Sequence, residues 1–149
     1  MPFDETRRHP APCSAYQDTG GLVYFARMLD KIRRHADGML STDYLEHLGR
    51  GSDGRCCRFL QVTYAALVER VLAGGTDEQV LEWCFEQGRR PNDEEINIFS
   101  SFARKRGWRD DRDGGTRALE AHKEANGLGN RPDIVTFFDF YEVDESRQP

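Results

Sequence analysis

The sequence predicts an all-α protein that folds as a single compact domain of six or seven short to medium helices. Three observations favour this fold. Apolar residues recur at spacings of three and four along most of the chain, which is the period of an amphipathic helix. No segment alternates apolar and polar residues in the manner of a half-buried strand. Glycine, proline and capping residues divide the periodic segments into pieces of helix length.

Composition is consistent with this fold. The chain has 149 residues, of which 38% are apolar, 11% aromatic and 32% charged. A chain of this length can bury one hydrophobic core, and periodic aromatic residues argue against disorder. We expect residues 1–19, which carry three prolines, to form an extended polar N-terminal arm. The domain is predicted over residues 20–146, and residues 147–149 are predicted to be a frayed tail.

The first helix is predicted over residues 22–34, because its apolar residues fall on one face at helical spacing. The opposite face carries Arg27 and Asp30. We interpret these charges as a solvated salt-bridge surface, with a charged pair that lines a cleft as the alternative.

The remaining helices follow from their caps and stripes. After a short helix over residues 43–48 and a helical turn over 56–60, we predict four longer helices and one weak helix. Their N-terminal caps are assigned, in order, to Thr63, Thr76, Asn92, Thr116 (the weak helix) and Asp133. The residues predicted to form the core are Phe25, Leu29, Leu67, Val71, Leu81, Phe99, Phe102 and Phe138.

The stretch over residues 49–58 is the most site-like feature of the chain, since it combines three glycines with three arginines. Glycine backbone lets a ligand approach closely, and amides in the turn are expected to point outward as an anion-binding nest. The predicted anion-binding residues are Arg50, Gly51, Gly54, Arg55 and Arg58. The alternative is that these arginines are solvated or pair with carboxylates of the chain, such as Asp30 or Asp53.

The pattern Gly49-x-Gly51-x-x-Gly54 formally matches a dinucleotide fingerprint. We reject that interpretation because a helical pattern, not a strand, precedes it.

Five segments resemble a bacterial family known as domain of unknown function 5069. They are Arg27-Met28-Leu29-Asp30-Lys31, Gly51-x-Asp53-Gly54-Arg55-Cys56, Leu81-Glu82-Trp83-Cys84, Lys105-Arg106-Gly107-Trp108-Arg109-Asp110 and Asp133-Ile134-Val135-Thr136-Phe137-Phe138-Asp139. The resemblance spans about residues 20–146. It implies a helical bacterial protein and brings no reaction, cofactor or catalytic residue.

Catalytic and metal sites are weakly indicated. Cys56 and Cys57 lack a C-x-x-C spacing, so we predict no metal site and no cofactor. A nucleophilic thiol with a lowered pKa beside Arg55, with His47 as its base, is a second possibility that we do not favour over buried structural cysteine. A carboxylate pair among Asp30, Asp53 and Asp139 would require a convergence that the sequence does not reveal.

Charge and cysteine content exclude several function classes. A net charge of −5 argues against general nucleic-acid binding, and no run of residues is apolar and long enough for a membrane span. Four cysteines without a signal peptide indicate a cytoplasmic protein with reduced thiols. We therefore expect a small soluble helical module that binds a small anionic ligand or a protein partner of unknown identity. The alternative is a small enzyme built around residues 49–58 and Asp30, with Arg27 and Asp53 as further cleft charges.

Overall fold

The computed structural model describes residues 9–112 and 114–147, and within them it confirms the predicted all-α domain. Its elements, in chain order, are β1 (Asp18–Thr19), β2 (Leu22–Val23), α1 (Phe25–Ala36), a 3-10 helix (Thr42–His47), α2 (Ser52–Leu60), α3 (Tyr64–Leu72), α4 (Asp77–Gln87), α5 (Asp93–Lys105), α6 (Gly115–Ala125) and α7 (Phe137–Asp144). Among these helices, none combines the length and the apolar composition that crossing a bilayer requires.

The hairpin is an element that the sequence pattern did not predict. β1 and β2 pair antiparallel, with Asp18 opposite Val23 and Thr19 opposite Leu22. Strands of two residues are too short to show the alternation of apolar and polar residues that predicts a strand. The only sequence feature that indicates this hairpin is the Gly20-Gly21 turn. The hairpin is held to α5 by Ser100, whose Oγ accepts the Val23 N–H and donates to the Gly21 carbonyl.

Because the hairpin takes Leu22 and Val23, α1 begins at Phe25 rather than at residue 22. Tyr24 precedes it in the left-handed region, with a φ of 72°. α1 lies at the centre of the fold and packs against α3 and the hairpin.

The caps of the middle helices were predicted correctly. The Thr63 hydroxyl accepts the Ala66 N–H at the start of α3. Thr76 and Asn92 each form a capping box, with Gln79 and Glu95 respectively. These reciprocal bonds satisfy amides that have no partner within the helix.

The caps predicted for the last two helices were wrong. α7 is capped by Thr136, whose hydroxyl accepts the Asp139 N–H, whereas Asp133 pairs with Arg131 outside the helix. α6 starts after Gly114, and Thr116 lies within its first turn. The Thr116 hydroxyl is instead bonded to the preceding loop.

Two hydrophobic clusters form the core. The larger one surrounds α1 and takes residues from the hairpin and from α2 to α5, with Phe138 from α7. The smaller one joins α6 to α7 through Leu119, Ile134 and Phe140. Of the predicted core residues, those buried in the structure are Phe25, Leu29, Leu67, Val71, Leu81 and Phe138.

Two residues predicted to lie in the core are not fully buried. Phe99 is only half-buried, although it packs against the larger cluster. Phe102 was wrongly placed in the core, since 41% of it is exposed. The Arg55 guanidinium carbon lies 5.3 Å from the centre of its ring, which is a cation–π contact.

The predicted arm is partly described. Residues 1–8 lie outside the described residues, as do residues 148–149 of the predicted tail. In the described part of the arm, Pro12 and Ala15 are buried, and the Cys13 N–H donates to Asp30 Oδ2 over 2.9 Å. Arg147 forms ion pairs with Glu142 and Glu145.

Candidate functional site

The Gly49 position shows why the glycine-rich stretch has its sequence. Gly49 has a φ of +75°, and a Cβ there would lie 2.8 Å from a ring carbon of Tyr64. Its N–H donates to Asp53 Oδ2 over 3.0 Å. Any other residue would meet both backbone strain and a collision, so this glycine has a structural role.

The segment that follows is a helix rather than a loop, because α2 starts at Ser52 and not at residue 56. The Asp53 and Gly54 amides donate to the Arg50 carbonyl, and the Arg55 amide donates to the Gly51 carbonyl. These three amides are therefore occupied within the chain, and they do not form the outward-facing nest that we expected.

The three arginines of this stretch have different surroundings. Arg50 and Arg58 are exposed, and the Arg58 guanidinium lies over Gly54, where an added Cβ would be 2.9 Å from it. Arg55 lines a narrow crevice with Arg106, beside the rings of Phe99 and Phe138. Anion binding by this stretch remains a prediction.

Asp53 lies at the centre of a buried ionic triad. Its Oδ1 is 2.8 Å from Lys31 Nζ and accepts the Tyr24 hydroxyl over 2.7 Å. Lys31 also donates to the Tyr24 hydroxyl oxygen over 2.9 Å. Burial lowers the pKa of Lys31 while Asp53 opposes that shift, and burial beside Asp53 raises the pKa of Tyr24 well above its usual value.

Arg27 lies one turn before Lys31 on α1 and forms a second buried pair, so the solvated surface predicted for Arg27 is wrong. It donates two hydrogen bonds to the Glu145 carboxylate, over 2.8 and 2.6 Å. Burial acts to raise the pKa of Glu145, but these bonds outweigh it and the pKa is lowered. This bidentate ion pair joins α1 to the end of α7, so its role is structural.

The candidate carboxylates do not form one acid–base pair. Asp30 bonds to Arg34 and to the Cys13 amide, whereas Asp139 accepts the hydroxyl of Tyr16. Asp53 is held by the triad described above. Nor do the described residues bring together three histidine, cysteine or carboxylate side chains that could hold a metal ion.

The pKa values of the Cys56 and Cys57 thiols are raised, whereas a nucleophilic thiol needs a lowered pKa. The lowered pKa considered from the sequence is therefore wrong. Burial raises the pKa of Cys56 well above its usual value and raises the pKa of Cys57 to about 11. His47, the base considered for them, is exposed and lies beside Glu46. A thiol in this environment stays protonated at neutral pH.

An open cavity lies elsewhere, between the loop before α6 and the segment before α7. It has a volume of about 420 Å³. We call it the Trp108 cleft, and its lining includes Gly107, Trp108, Arg109, Leu119, Glu120, Lys123, Asn130, Pro132, Ile134 and Val135. A volume of roughly 300–1,000 Å³ is typical of small-molecule sites.

The rim of the cleft is held rigidly. Thr116 Oγ1 accepts the Asp110 N–H over 2.7 Å and donates to the Gly107 carbonyl over 2.8 Å. Asp110 Oδ2 in turn accepts the Gly107 N–H over 3.2 Å. These bonds fix the loop that presents Trp108, which is 49% exposed.

Arg109 is the next residue of this rim and is conformationally strained. Its φ is 50°, which is uncommon for a residue other than glycine, and such strain tends to be found at functional sites. Its guanidinium carbon lies 5.6 Å from the centre of the Trp108 ring. The rim therefore presents an aromatic ring and a cation together.

Lys123 forms part of the cleft wall and is only 3% exposed. Its Nζ donates to the Ile134 carbonyl over 3.0 Å and to Glu120 over 3.2 Å. The sequence analysis did not predict this site, because no local pattern connects Trp108 with Lys123, which lies 15 positions further along the chain. The available signal was Lys123 four residues after Leu119, on the same side of α6.

Comparison with protein families assigns the chain to one family. The model of the family described as "Domain of unknown function (DUF5069)" matches residues 9–147. The chain belongs to this family. The match to DUF5069 includes both the buried triad and the Trp108 cleft. A comparison with curated proteins found no match.

Proposed function

We propose that the protein is a bacterial, cytoplasmic ligand-binding module that binds a small organic anion in the Trp108 cleft. The observation that carries this proposal is the lining of the cleft, where two cationic side chains, Arg109 and Lys123, border an apolar wall. Cations beside desolvated surface favour an anionic group, and the apolar wall accommodates the rest of a small molecule.

Burial supports binding over catalysis. Asp53 and Lys31 form the most enzyme-like cluster, yet their side chains are 0% and 5% exposed. The thiols of Cys56 and Cys57 have raised pKa values. An enzyme built around residues 49–58 and Asp30 would need a reactive group at an open surface, whereas Asp30 is engaged by Arg34 and Cys13.

The cysteines support the proposed compartment. All four, including the half-exposed Cys13, are free thiols. Proteins of reducing compartments keep their thiols in this state. The proposed bacterial origin rests on the resemblance of the five segments described above.

Tryptophan fluorescence offers a direct test. The chain has two tryptophans, and Trp83 is half-buried against the larger core cluster. A Trp83→Phe variant leaves Trp108 as the single reporter at the cleft. We expect saturable changes in its emission, together with a raised melting temperature, for at least one class among phosphates, nucleotides and carboxylates.

The same titration separates the cleft from the predicted site at residues 49–58. With the ligand identified, Arg109→Gln should weaken binding, and Arg55→Ala should leave it unchanged. The reverse result would assign the anion site to Arg55. If no anion changes either the emission or the melting temperature, the proposed function is wrong.

A further inference from the structure

We propose that the ligand of the Trp108 cleft is an aromatic monocarboxylate. This inference rests on the proposed function and specifies the chemistry of the same site. Three properties of the cleft lead to it: its net charge, its apolar wall and its exposed indole ring.

The net charge of the cleft complements a ligand with a single negative charge. Arg109 and Lys123 are cationic, and Glu120 lies 3.2 Å from Lys123 and offsets one of them. The balance is one positive charge, which fits a carboxylate better than a doubly charged phosphate ester. Lys123 is 3% exposed and donates to Glu120 and to the Ile134 carbonyl, so the exposed Arg109 is the cation that a ligand carboxylate meets at the rim.

The apolar wall determines the body of the ligand. Leu119, Pro132, Ile134 and Val135 line the cleft; Pro132 and Val135 are exposed, whereas Leu119 and Ile134 are each only 1% exposed. A sugar or polyol placed against this wall would lose hydrogen bonds to water without replacing them. An apolar body gains free energy from the same contact because it covers exposed apolar surface.

The Trp108 ring favours an aromatic body over an aliphatic one. Large exposed rings are usually mobile, but the bonds among Gly107, Asp110 and Thr116 hold the backbone of this loop in place. The backbone that carries the ring is therefore preorganised, which lowers the entropy cost of ordering this loop on binding. Offset-stacked or edge-to-face aromatic pairs gain free energy beyond the area they bury.

The test uses four probes with the Trp83→Phe protein. They are 3-phenylpropanoate, its neutral amide 3-phenylpropanamide, the saturated analogue 3-cyclohexylpropanoate and inorganic phosphate. We expect saturable binding of 3-phenylpropanoate, with binding of the amide weaker by about 10- to 150-fold because it lacks the charge. The cyclohexyl acid should bind about 2- to 12-fold more weakly, and phosphate should not compete.

Two variants assign the effect to the cleft. Arg109→Gly removes the guanidinium at a position where glycine suits the backbone, so 3-phenylpropanoate should bind about 10- to 150-fold more weakly. Arg117→Gln is the matched control, because Arg117 is exposed on α6 and does not line the cleft. It should leave the affinity unchanged. Melting curves of both variants check that they are folded.

The outcomes separate this inference from the proposed function. Equal binding of the acid and the amide, or tighter binding of the cyclohexyl acid, would overturn the aromatic monocarboxylate. Competition by inorganic phosphate would do the same. Binding of a nucleotide at the cleft in place of the acid would also overturn it, while leaving the proposed function intact. If no anion of any class affects Trp108 or the melting temperature, both are wrong.

Discussion

Lys31 Nζ and Asp53 Oδ1 lie 2.8 Å apart, in a salt bridge between side chains that are 5% and 0% exposed. Lys31 comes from α1 and Asp53 from the first turn of α2, so the bridge joins the centre of the fold to the glycine-rich stretch. Asp53 also accepts the Gly49 N–H. One carboxylate therefore determines both the position of α2 and the turn that precedes it.

Removal of this carboxylate should be severely destabilising. Asp53→Ala leaves the Lys31 ammonium buried without a counter-charge, and breaking a buried ion pair in this way costs about 3–5 kcal/mol. Urea denaturation gives the change in the free energy of unfolding. Glu82→Ala is the control, because its pair with Arg90 is half-exposed and should contribute little. Equal stability losses in the two variants would contradict the importance of burial.

Much of the fold was predictable because local chemistry determines it. The start of α4 after Thr76 was predicted correctly, since a capping box marks it in the sequence. Caps failed where two residues compete, as Asp133 and Thr136 do before α7. The hairpin was missed because four strand residues carry no periodicity.

The site was less predictable, because it depends on contacts between distant residues. The glycines and arginines of residues 49–58 are conspicuous in the sequence, yet Gly49 serves packing against Tyr64 and Asp53 serves the buried triad. The cleft joins Trp108 to Lys123 and Val135, which lie 15 and 27 positions further along the chain. Nothing local to Trp108 distinguishes an exposed ring from a buried one.

Alkaline pH should destabilise the protein. Burial raises the pKa of Cys57 to about 11, that of Cys84 to about 12 and that of Cys56 well above its usual value. In the unfolded chain these thiols lose their protons near pH 8.5–9. The folded state then binds more protons, so stability that is fully present below about pH 8.5 is lost as the pH rises through 11.

Urea denaturation between pH 8 and 11 measures this loss, with a slope of about 1.4 kcal/mol per pH unit for each thiol. Burial lowers the pKa of Lys31, which acts in the opposite direction, but it is one group against these thiols, Cys13 and five tyrosines whose pKa values are also raised. Cys84→Ala removes one of these thiols and should reduce the slope by about 1.4 kcal/mol per pH unit. A stability that is constant or rises over this range would show that these thiols are not buried.

Two phenylalanines test the positions of the helix faces. Phe25→Ala should cost about 3–5 kcal/mol, because this ring is fully buried in the larger cluster. Phe102→Ala should cost less than about 1 kcal/mol, because 41% of Phe102 is exposed. Thermal or urea unfolding of the two variants provides the comparison. Similar losses would place Phe102 in the core after all.

The start of α7 gives a sharper test of a cap. Thr136→Ala removes the oxygen that accepts the Asp139 N–H and should cost about 1 kcal/mol. Asp133→Ala removes only an exposed pair with Arg131 and should leave the unfolding midpoint unchanged. The opposite ranking would restore Asp133 as the cap of this helix.

The strain at Arg109 predicts a conflict between stability and binding. Arg109 has a φ of 50°, whereas glycine adopts such angles without steric cost. Arg109→Gly should therefore keep the free energy of unfolding unchanged or raise it by up to about 1 kcal/mol, even though it removes a cation from the rim. Arg112→Gly is the control, because Arg112 has no positive φ and gains only backbone freedom in the unfolded state. It should be destabilising by roughly 0.5–1 kcal/mol. If Arg109→Gly is the less stable of the two variants, then the contact of the guanidinium with Trp108 outweighs the strain, and Arg109 is retained for the structure of the rim rather than for a ligand.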